Sequence, residues 1–360
     1  MLTSIQIENF RCFDKIKVDG LSRVNLIAGK NNVGKTAFLE AIGLWAAGSN
    51  PAGLTYLSGM RSPLEKVTSD IAQELLLAPL FNNFDETKTI HIKGSLNQSE
   101  LHALDIQSNR AIPNTISLTQ EKYEAGLGSI TSNLSQILTL RHVSPEGEPT
   151  ENKFWIEGNK TNIQDTSAEL ASPPIPSSAF ILANSRQSGR IQAEMFGRLE
   201  LASNNYSLVQ SLQLIESRLK NIRTIVISGL PILYGDIGLQ RLVPLSLMGE
   251  GLNRLVSILL TIATNREGLV LIDEIENGLH HSVLSSVWKV INDAAHRFNV
   301  QVIATTHNYE CIQAAHNAFS ENGQYDFCLH RIDRLEHGFK TVSYDQDVLE
   351  TAINIPFEVR

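Results

Sequence analysis

Eight consecutive residues, Gly29-Lys30-Asn31-Asn32-Val33-Gly34-Lys35-Thr36, satisfy every fixed position of the spacing G-x-x-x-x-G-K-[ST]. Each fixed position has a chemical reason. The two glycines let the backbone curl until successive N–H groups point inward at phosphate oxygens. Lys35 carries a positive charge to the β- and γ-phosphates, and the Thr36 hydroxyl is a ligand for Mg²⁺. Far downstream, Leu269-Val270-Leu271-Ile272 is followed by two carboxylates, Asp273 and Glu274. An apolar strand ending in two acids can bring the first to the hydration shell of that Mg²⁺ and leave the second to polarise an attacking water. A third apolar run, Val302-Ile303-Ala304, ends in Thr305-Thr306-His307. A histidine there can contact the terminal phosphate or the water, although alone it would read as a structural histidine at a strand end. The expected catalytic pair is Glu274 and His307, and the expected metal ligands are Thr36 and Asp273.

These groups act together only if folding brings them to one edge. Residues 24–28 read as a short buried strand entering the glycine loop, and residues 36–45 as the helix leaving it, stopped by Gly48-Ser49-Asn50-Pro51. A strand, a glycine loop and a helix N-terminus make an anion site. In the last third, a strand at 269–272, a helix at 281–298, a strand at 300–305 and a helix from Asn308 alternate as in an α/β fold. Strand-like runs at 327–332 and 341–344 follow. Near the start, Ile5, Ile7, Ile16 and Val18 alternate with polar neighbours as in strands. Residues 55–84 have a helical pattern. Between 87 and 157, short β-prone pieces at 89–92, 116–119, 137–140 and 154–156 predict an antiparallel β-subdomain. Residues 172–176, Ser-Pro-Pro-Ile-Pro, predict a linker, and 179–182 a buried strand. Helical sequence then runs to about Arg223, with further strand candidates at 224–227 and 232–234.

The 360 residues suffice for one large α/β domain with insertions or for two domains. A net charge of −8 and a pI near 5.7 argue against a globally basic nucleic-acid binder; DNA or RNA would need a local basic groove. Arg186, Arg190, Arg198, Arg218, Lys220 and Arg223 are diluted by Glu194, Glu200 and Glu216, and read as a solvated face. Cys12, Cys311 and Cys328 are widely spaced, which suits a reducing cytosol and gives no zinc pattern. His280-His281 is no metal pair either, because adjacent helical residues point about 100° apart. The amino terminus lacks a signal-peptide pattern, and the longest apolar runs fall short of the roughly 20 residues of a membrane span. A cytoplasmic protein without membrane contact is expected. Asp345-Gln346-Asp347 reads as a terminal surface loop.

Taken in order, the motifs resemble the ABC-type ATPase superfamily, in the branch that holds SMC, RecF and OLD (overcoming lysogenization defect) proteins. Ile5-Gln6-Ile7-Glu8-Asn9-Phe10-Arg11-Cys12-Phe13 is similar to that branch's amino-terminal I-x-N-F-[RK] signature, with Arg11 where the family places a nucleotide-contacting arginine. The match continues through the glycine loop, Asp273-Glu274-Ile275-Glu276-Asn277-Gly278-Leu279-His280 and the Thr-Thr-His strand. The resemblance implies one ABC-type head over 1–360 with a mixed central sheet. Within it lie an N-terminal lobe (1–185), a short helical insert (186–245) and a lobe carrying signature, acid pair and histidine (246–360). It also implies ATP and Mg²⁺ as ligands, and a homodimer or higher oligomer that sandwiches ATP between the glycine loop of one subunit and a signature segment of the other. That segment is Leu-Ser-Leu-Met-Gly-Glu-Gly-Leu-Asn-Arg-Leu at 245–255. Its Gly249-Glu250-Gly251 lies near the N-terminus of a helix with apolar residues at 252, 255, 256, 259 and 260. Gly249 stands where the family has serine, and Ser246 could substitute only if the loop shifts register. A glutamine-loop residue is expected after the strand at 180–182, and Gln187 is the candidate.

The insert is short and lacks heptads, so the coiled-coil arms of SMC proteins are not expected. About fifty residues follow His307, too few for the Toprim nuclease domain of OLD proteins. The chain therefore resembles a stand-alone OLD-like ATPase of prokaryotic anti-phage systems, in which the ATPase holds and releases a separately encoded nuclease or toxin. The alternative is a RecF-like DNA-repair clamp, which suits the length but not the acidic charge.

Overall fold

The computed structural model describes residues 1–54, 77–97, 100–111, 135–145, 149–157, 160–165, 176–183, 187–202, 208–321 and 325–355. Its centre is built from the three apolar runs that precede the chemical residues. Strands β3 (Val24–Ala28), β13 (Leu269–Ile272) and β14 (Gln301–Thr305) are buried at every position, as strands covered on both faces must be. With β9 (Ser178–Ile181), β15 (Phe327–Arg334) and β16 (Phe339–Tyr344) they form a six-stranded sheet of order β16-β15-β3-β14-β13-β9. Every pairing is parallel except β15 with β16. The carboxyl ends of β3, β14 and β13 therefore lie side by side, with β14 in the middle.

One face of this sheet carries helix α1 (Lys35–Ala47), and α1 carries a second sheet in turn. That sheet is antiparallel, in the order β2-β1-β4-β5-β6-β7-β8. Its strands are β1 (Leu2–Phe10), β2 (Phe13–Asp19), β4 (Ile90–Leu96), β5 (Glu100–Ala111), β6 (Ser135–Val143), β7 (Thr150–Glu157) and β8 (Lys160–Asp165). Trp45 of α1 is fully buried against it. Its Nε1 donates to the His102 carbonyl at 3.0 Å, and a Cβ on Gly94 would lie 2.5 Å from its ring, so only glycine fits there. The β-rich segment expected over 87–157 is thus not self-contained: β4 pairs with β1, and the sheet runs on to residue 165. The strand piece at 116–119 lies outside the described residues, as do 55–76 of the helical pattern, whose remainder forms 3₁₀ turns at Ala78–Leu80 and Asn82–Phe84.

The other face of the central sheet is covered by α2 (Gly189–Leu201), α4 (Glu250–Thr264), α5 (Leu284–Arg297), α6 (Tyr309–Ser320) and α7 (Gln346–Asn354). After α2 the helical pattern stops early. The short α3 (Leu208–Leu212) gives way to an antiparallel sheet of β10 (Asn221–Ile227), β11 (Leu230–Asp236) and β12 (Val243–Pro244), so the insert is part helix and part hairpin. Asp345 caps α7, accepting from the Val348 N–H at 3.0 Å. Residues 345–347 therefore start a helix instead of forming a terminal loop. Among the described residues no helix is long and apolar enough to cross a membrane.

Candidate active site

Strand β3 hands the chain to the glycine loop, and the loop's shape is enforced sterically. Gly29 has φ 149°, and a Cβ there would lie 2.6 Å from the Ile332 carbonyl oxygen. Gly34 has φ 101°, and a Cβ would lie 2.5 Å from Cys12 Sγ. Gly34 caps α1 without a side-chain bond, which keeps the helix N-terminus available to an anion. Lys35 is 9 % exposed, and its Nζ donates to the carbonyls of Gly29 at 2.7 Å and Lys30 at 3.0 Å. Burial pulls the Lys35 pKa down, while the charges of Glu274, Asp273 and Glu276 pull it up. Val33 turns its side chain into the core, so it can serve a phosphate only through its backbone, while the Lys30 side chain is exposed.

The strand order explains how residues 237 apart meet. The Thr36 hydroxyl donates to the Asp273 carboxylate, 3.1 Å from Oδ1 and 3.0 Å from Oδ2. From the intervening β14, the Thr305 hydroxyl donates to Asp273 Oδ1 at 2.7 Å and accepts the Glu274 N–H at 2.8 Å. Glu274 itself has a left-handed backbone, φ 46°, a strained conformation for a side chain of this type. Beyond it, Glu276 Oε1 accepts from the Thr306 hydroxyl at 2.7 Å and the His307 N–H at 3.1 Å. The His307 ring lies against both acids, Nδ1 being 3.4 Å from Glu276 and 3.8 Å from Glu274. Arg254, 8 % exposed, donates to the carbonyls of Leu182 and Asp273 at 2.6 Å each and of Glu274 at 3.2 Å. It ties α4 to the turn carrying the acids. The supporting roles of Thr305, Glu276 and Arg254 were not foreseen from sequence, although all three stand inside or beside quoted motifs.

A cavity of about 820 Å³ joins Asn31, Asn32, Gly34, Lys35 and Thr36 to Asp273, Glu274 and His307. Arg11 lines it too, with its Nε 2.6 Å from Glu40 of α1. The signature residues and Gln187 do not line this cavity. Gln187 donates to the Thr261 hydroxyl at 3.1 Å and, with Ser246 and Glu250, lines a separate cavity of about 360 Å³. The expected glutamine-loop residue therefore bonds to α4 and lines a different cavity from the glycine loop. Ser246, Gly249 and Glu250 are exposed at the start of α4. Gly251 is a packing glycine, since a Cβ would lie 2.8 Å from the Gly278 carbonyl oxygen.

Among the described residues no three His, Cys, Asp or Glu side chains are grouped to hold a metal. Mg²⁺ does not require such a group: it is commonly held by one or two carboxylates, with waters and substrate phosphates completing its shell. The touching Thr36 hydroxyl and Asp273 carboxylate fit that pattern.

Fold and site define a P-loop ATPase with an ABC-type head. The chain belongs to the family described as "AAA domain, putative AbiEii toxin, Type IV TA system", whose model matches residues 104–312. A model described as "AAA ATPase domain" matches residues 1–124. An "ATP/GTP phosphatase" of Helicobacter pylori is 26 % identical over 359 residues, covering 93 % of this chain and 94 % of the relative. Among solved structures, an SMC head bound to the C-winged helix domain of ScpA is 14 % identical and covers 96 % of this chain and 98 % of that one, with a TM-score of 0.51; it shares the fold. An SMC head with an extended coiled coil, bound to the C-terminal domain of ScpA derived from Pyrococcus furiosus, is 12 % identical over 99 % of this chain and 98 % of that one, with a TM-score of 0.48. The chain is an ATPase.

Proposed function

We propose that this ATPase hydrolyses ATP with Mg²⁺ between two copies of itself in the cytoplasm, and uses the cycle to hold and release a separately encoded nuclease or toxin in anti-phage defence. The chemistry rests on one observation, the direct hydrogen bonds from Thr36 to Asp273 with Glu274 next in the chain. Thr36 and Asp273 would hold Mg²⁺, which when bound neutralises charge developing on the phosphates. Lys35 exchanges its two carbonyl partners for phosphate oxygens. Glu274 orients a water and takes its proton, and His307, steadied by Glu276, faces the terminal phosphate. Thr305 and Arg254 fix the turn so that both acids keep their positions.

Support for the composite site is positional. Ser246, Gly249 and Glu250 are exposed and outside the phosphate cavity of their own chain, so a helix N-terminus is available to a neighbour's terminal phosphate. Support for the effector role comes from the family description, which names a toxin and a toxin–antitoxin system, and from the OLD-like motif order. The net charge of −8 speaks against a DNA clamp.

The test mixes Lys35→Ala subunits with Gly249→Asp subunits, each inactive alone. A Cβ on Gly249 meets open space, but its φ of 103° strains any side chain there, so Gly249→Ala, which adds the strain without the charge, is the control. A mixed dimer holds one site with neither lesion, and ATPase activity should return in part. Heterodimers that form and stay inactive would refute the composite site. Co-purification with the product of an adjacent open reading frame tests the effector.

A further inference from the structure

Phe84 stands on the phosphate cavity in a conformation that its own side chain disfavours. Its φ is 58°, following Asn83 at 53°. Asparagine visits the left-handed region readily; an aromatic residue seldom does. The ring is nevertheless 67 % exposed, whereas Phe81 in the same loop is buried. The loop is not slack. The Phe84 N–H donates to the Phe81 carbonyl, and the Glu86 N–H to the Phe84 carbonyl, both at 3.1 Å. It is also tied to the β1–β2 turn: Arg11 N–H donates to the Leu80 carbonyl, and Asn82 Nδ2 to the Arg11 carbonyl, each at 2.8 Å. A strained residue fixed by its surroundings, with an apolar ring held toward solvent, points to a contact with something absent from the free chain.

The cavity indicates what that contact is. Lys35, Thr36, Asp273 and Glu274 define its phosphate end, and the loop at 79–84 supplies lining that no phosphate needs. Within that loop Asn82 Nδ2 donates to the Arg11 carbonyl, and Asn83 Nδ2 to Asn82 Oδ1 at 3.2 Å. What the loop adds to the lining is the exposed aromatic side chain of Phe84. Aromatic faces stack on any base, because every base has a π-face. We propose that Phe84 is the platform on which the base of the bound nucleotide stacks, and that the site accepts adenine and guanine alike because stacking engages the π-face that both share. This rests on the cavity being the nucleotide site.

Binding of ATP, GTP and inorganic tripolyphosphate to the full chain tests it. Wild type should bind ATP and GTP with comparable affinity. Phe84→Ala should weaken both by about 5- to 150-fold, the loss of one base–aromatic stack, and leave tripolyphosphate unchanged. Phe84→Asn, which suits the left-handed backbone, should lose the same affinity with a Tm no lower than wild type. Phe84→Tyr should retain binding. Unchanged ATP affinity in Phe84→Ala, or an equal loss for tripolyphosphate, would overturn the platform while leaving the phosphate site standing. A wild type that binds ATP but not GTP would overturn base tolerance. A wild type that binds neither ATP nor tripolyphosphate would overturn the nucleotide site and the platform with it.

Discussion

Replacing Thr305 with valine keeps the shape and branching of a fully buried side chain and deletes one hydroxyl. That hydroxyl donates to Asp273 Oδ1 at 2.7 Å and accepts the Glu274 N–H at 2.8 Å. The first bond is charge-assisted, of a kind that contributes about 1.5–3 kcal/mol; the second, if broken, leaves a donor without its partner at a cost of about 1–3 kcal/mol. The two share one oxygen and will not add fully, so a stability loss of about 2–4 kcal/mol is expected. The second bond ties the Glu274 backbone in its left-handed conformation, so its loss should let the acid relax away from the position proposed for orienting the water. Outer-shell partners of metal ligands typically matter 10–100-fold in metal affinity or activity. Thr305→Val should therefore lower kcat for ATP hydrolysis by about 10–100-fold and raise the Mg²⁺ concentration needed for half-maximal rate. ATP affinity, carried by Lys35 and the glycine loop, should change little. Steady-state phosphate release measured across a Mg²⁺ series reads both effects, and Thr305→Ser should restore them. A folded Thr305→Val protein with wild-type kcat and an unchanged Mg²⁺ midpoint would refute the assignment.

Lys35→Ala should abolish nucleotide binding in a folded protein, read by titration with a fluorescent nucleotide and by thermal melting; retained affinity would remove the lysine from the site. Stability should also fall with acidification for an identifiable reason. Burial holds His142 and His330 neutral, their pKa values pushed from 6.5 down to about 4. The unfolded chain takes up protons first, so the stabilisation is complete above pH 6.5 and is lost progressively toward pH 4, by up to about 3 kcal/mol per histidine. Melting temperatures across that range should drop, and less steeply in His142→Phe; an identical slope in that variant would show that His142 is not the group titrating.

What the sequence makes legible is whatever chemistry requires at fixed local spacing. The glycine loop is read directly because a curled backbone needs Gly29 and Gly34 where they are, and both are sterically pinned. Asp273 and Glu274 are legible because four apolar residues ending in two acids, downstream of a glycine loop, read as a buried strand end beside the phosphates. Thr305 and Glu276 act through neighbours that depend on strand order, β14 lying between β3 and β13, and Arg254 through the packing of α4 on the turn; periodicity carries no information about either. The β1–β4 pairing is hidden for the same reason, since its partners are distant in sequence and each strand looks locally complete. Gln187 follows the strand end as a glutamine-loop residue would, but its side chain bonds to Thr261 on α4, a contact set by helix packing.

The most direct test of catalysis at this site is single-turnover hydrolysis of ATP by Glu274→Gln beside wild type, with nucleotide affinity measured on the same samples. The substitution keeps size and hydrogen bonding and removes the charge that takes the water's proton. The expected result is unchanged ATP binding with hydrolysis slowed by about 10²–10⁴-fold, the loss of a general base. Wild-type turnover in Glu274→Gln would contradict the assignment of hydrolysis to the turn at the end of β13.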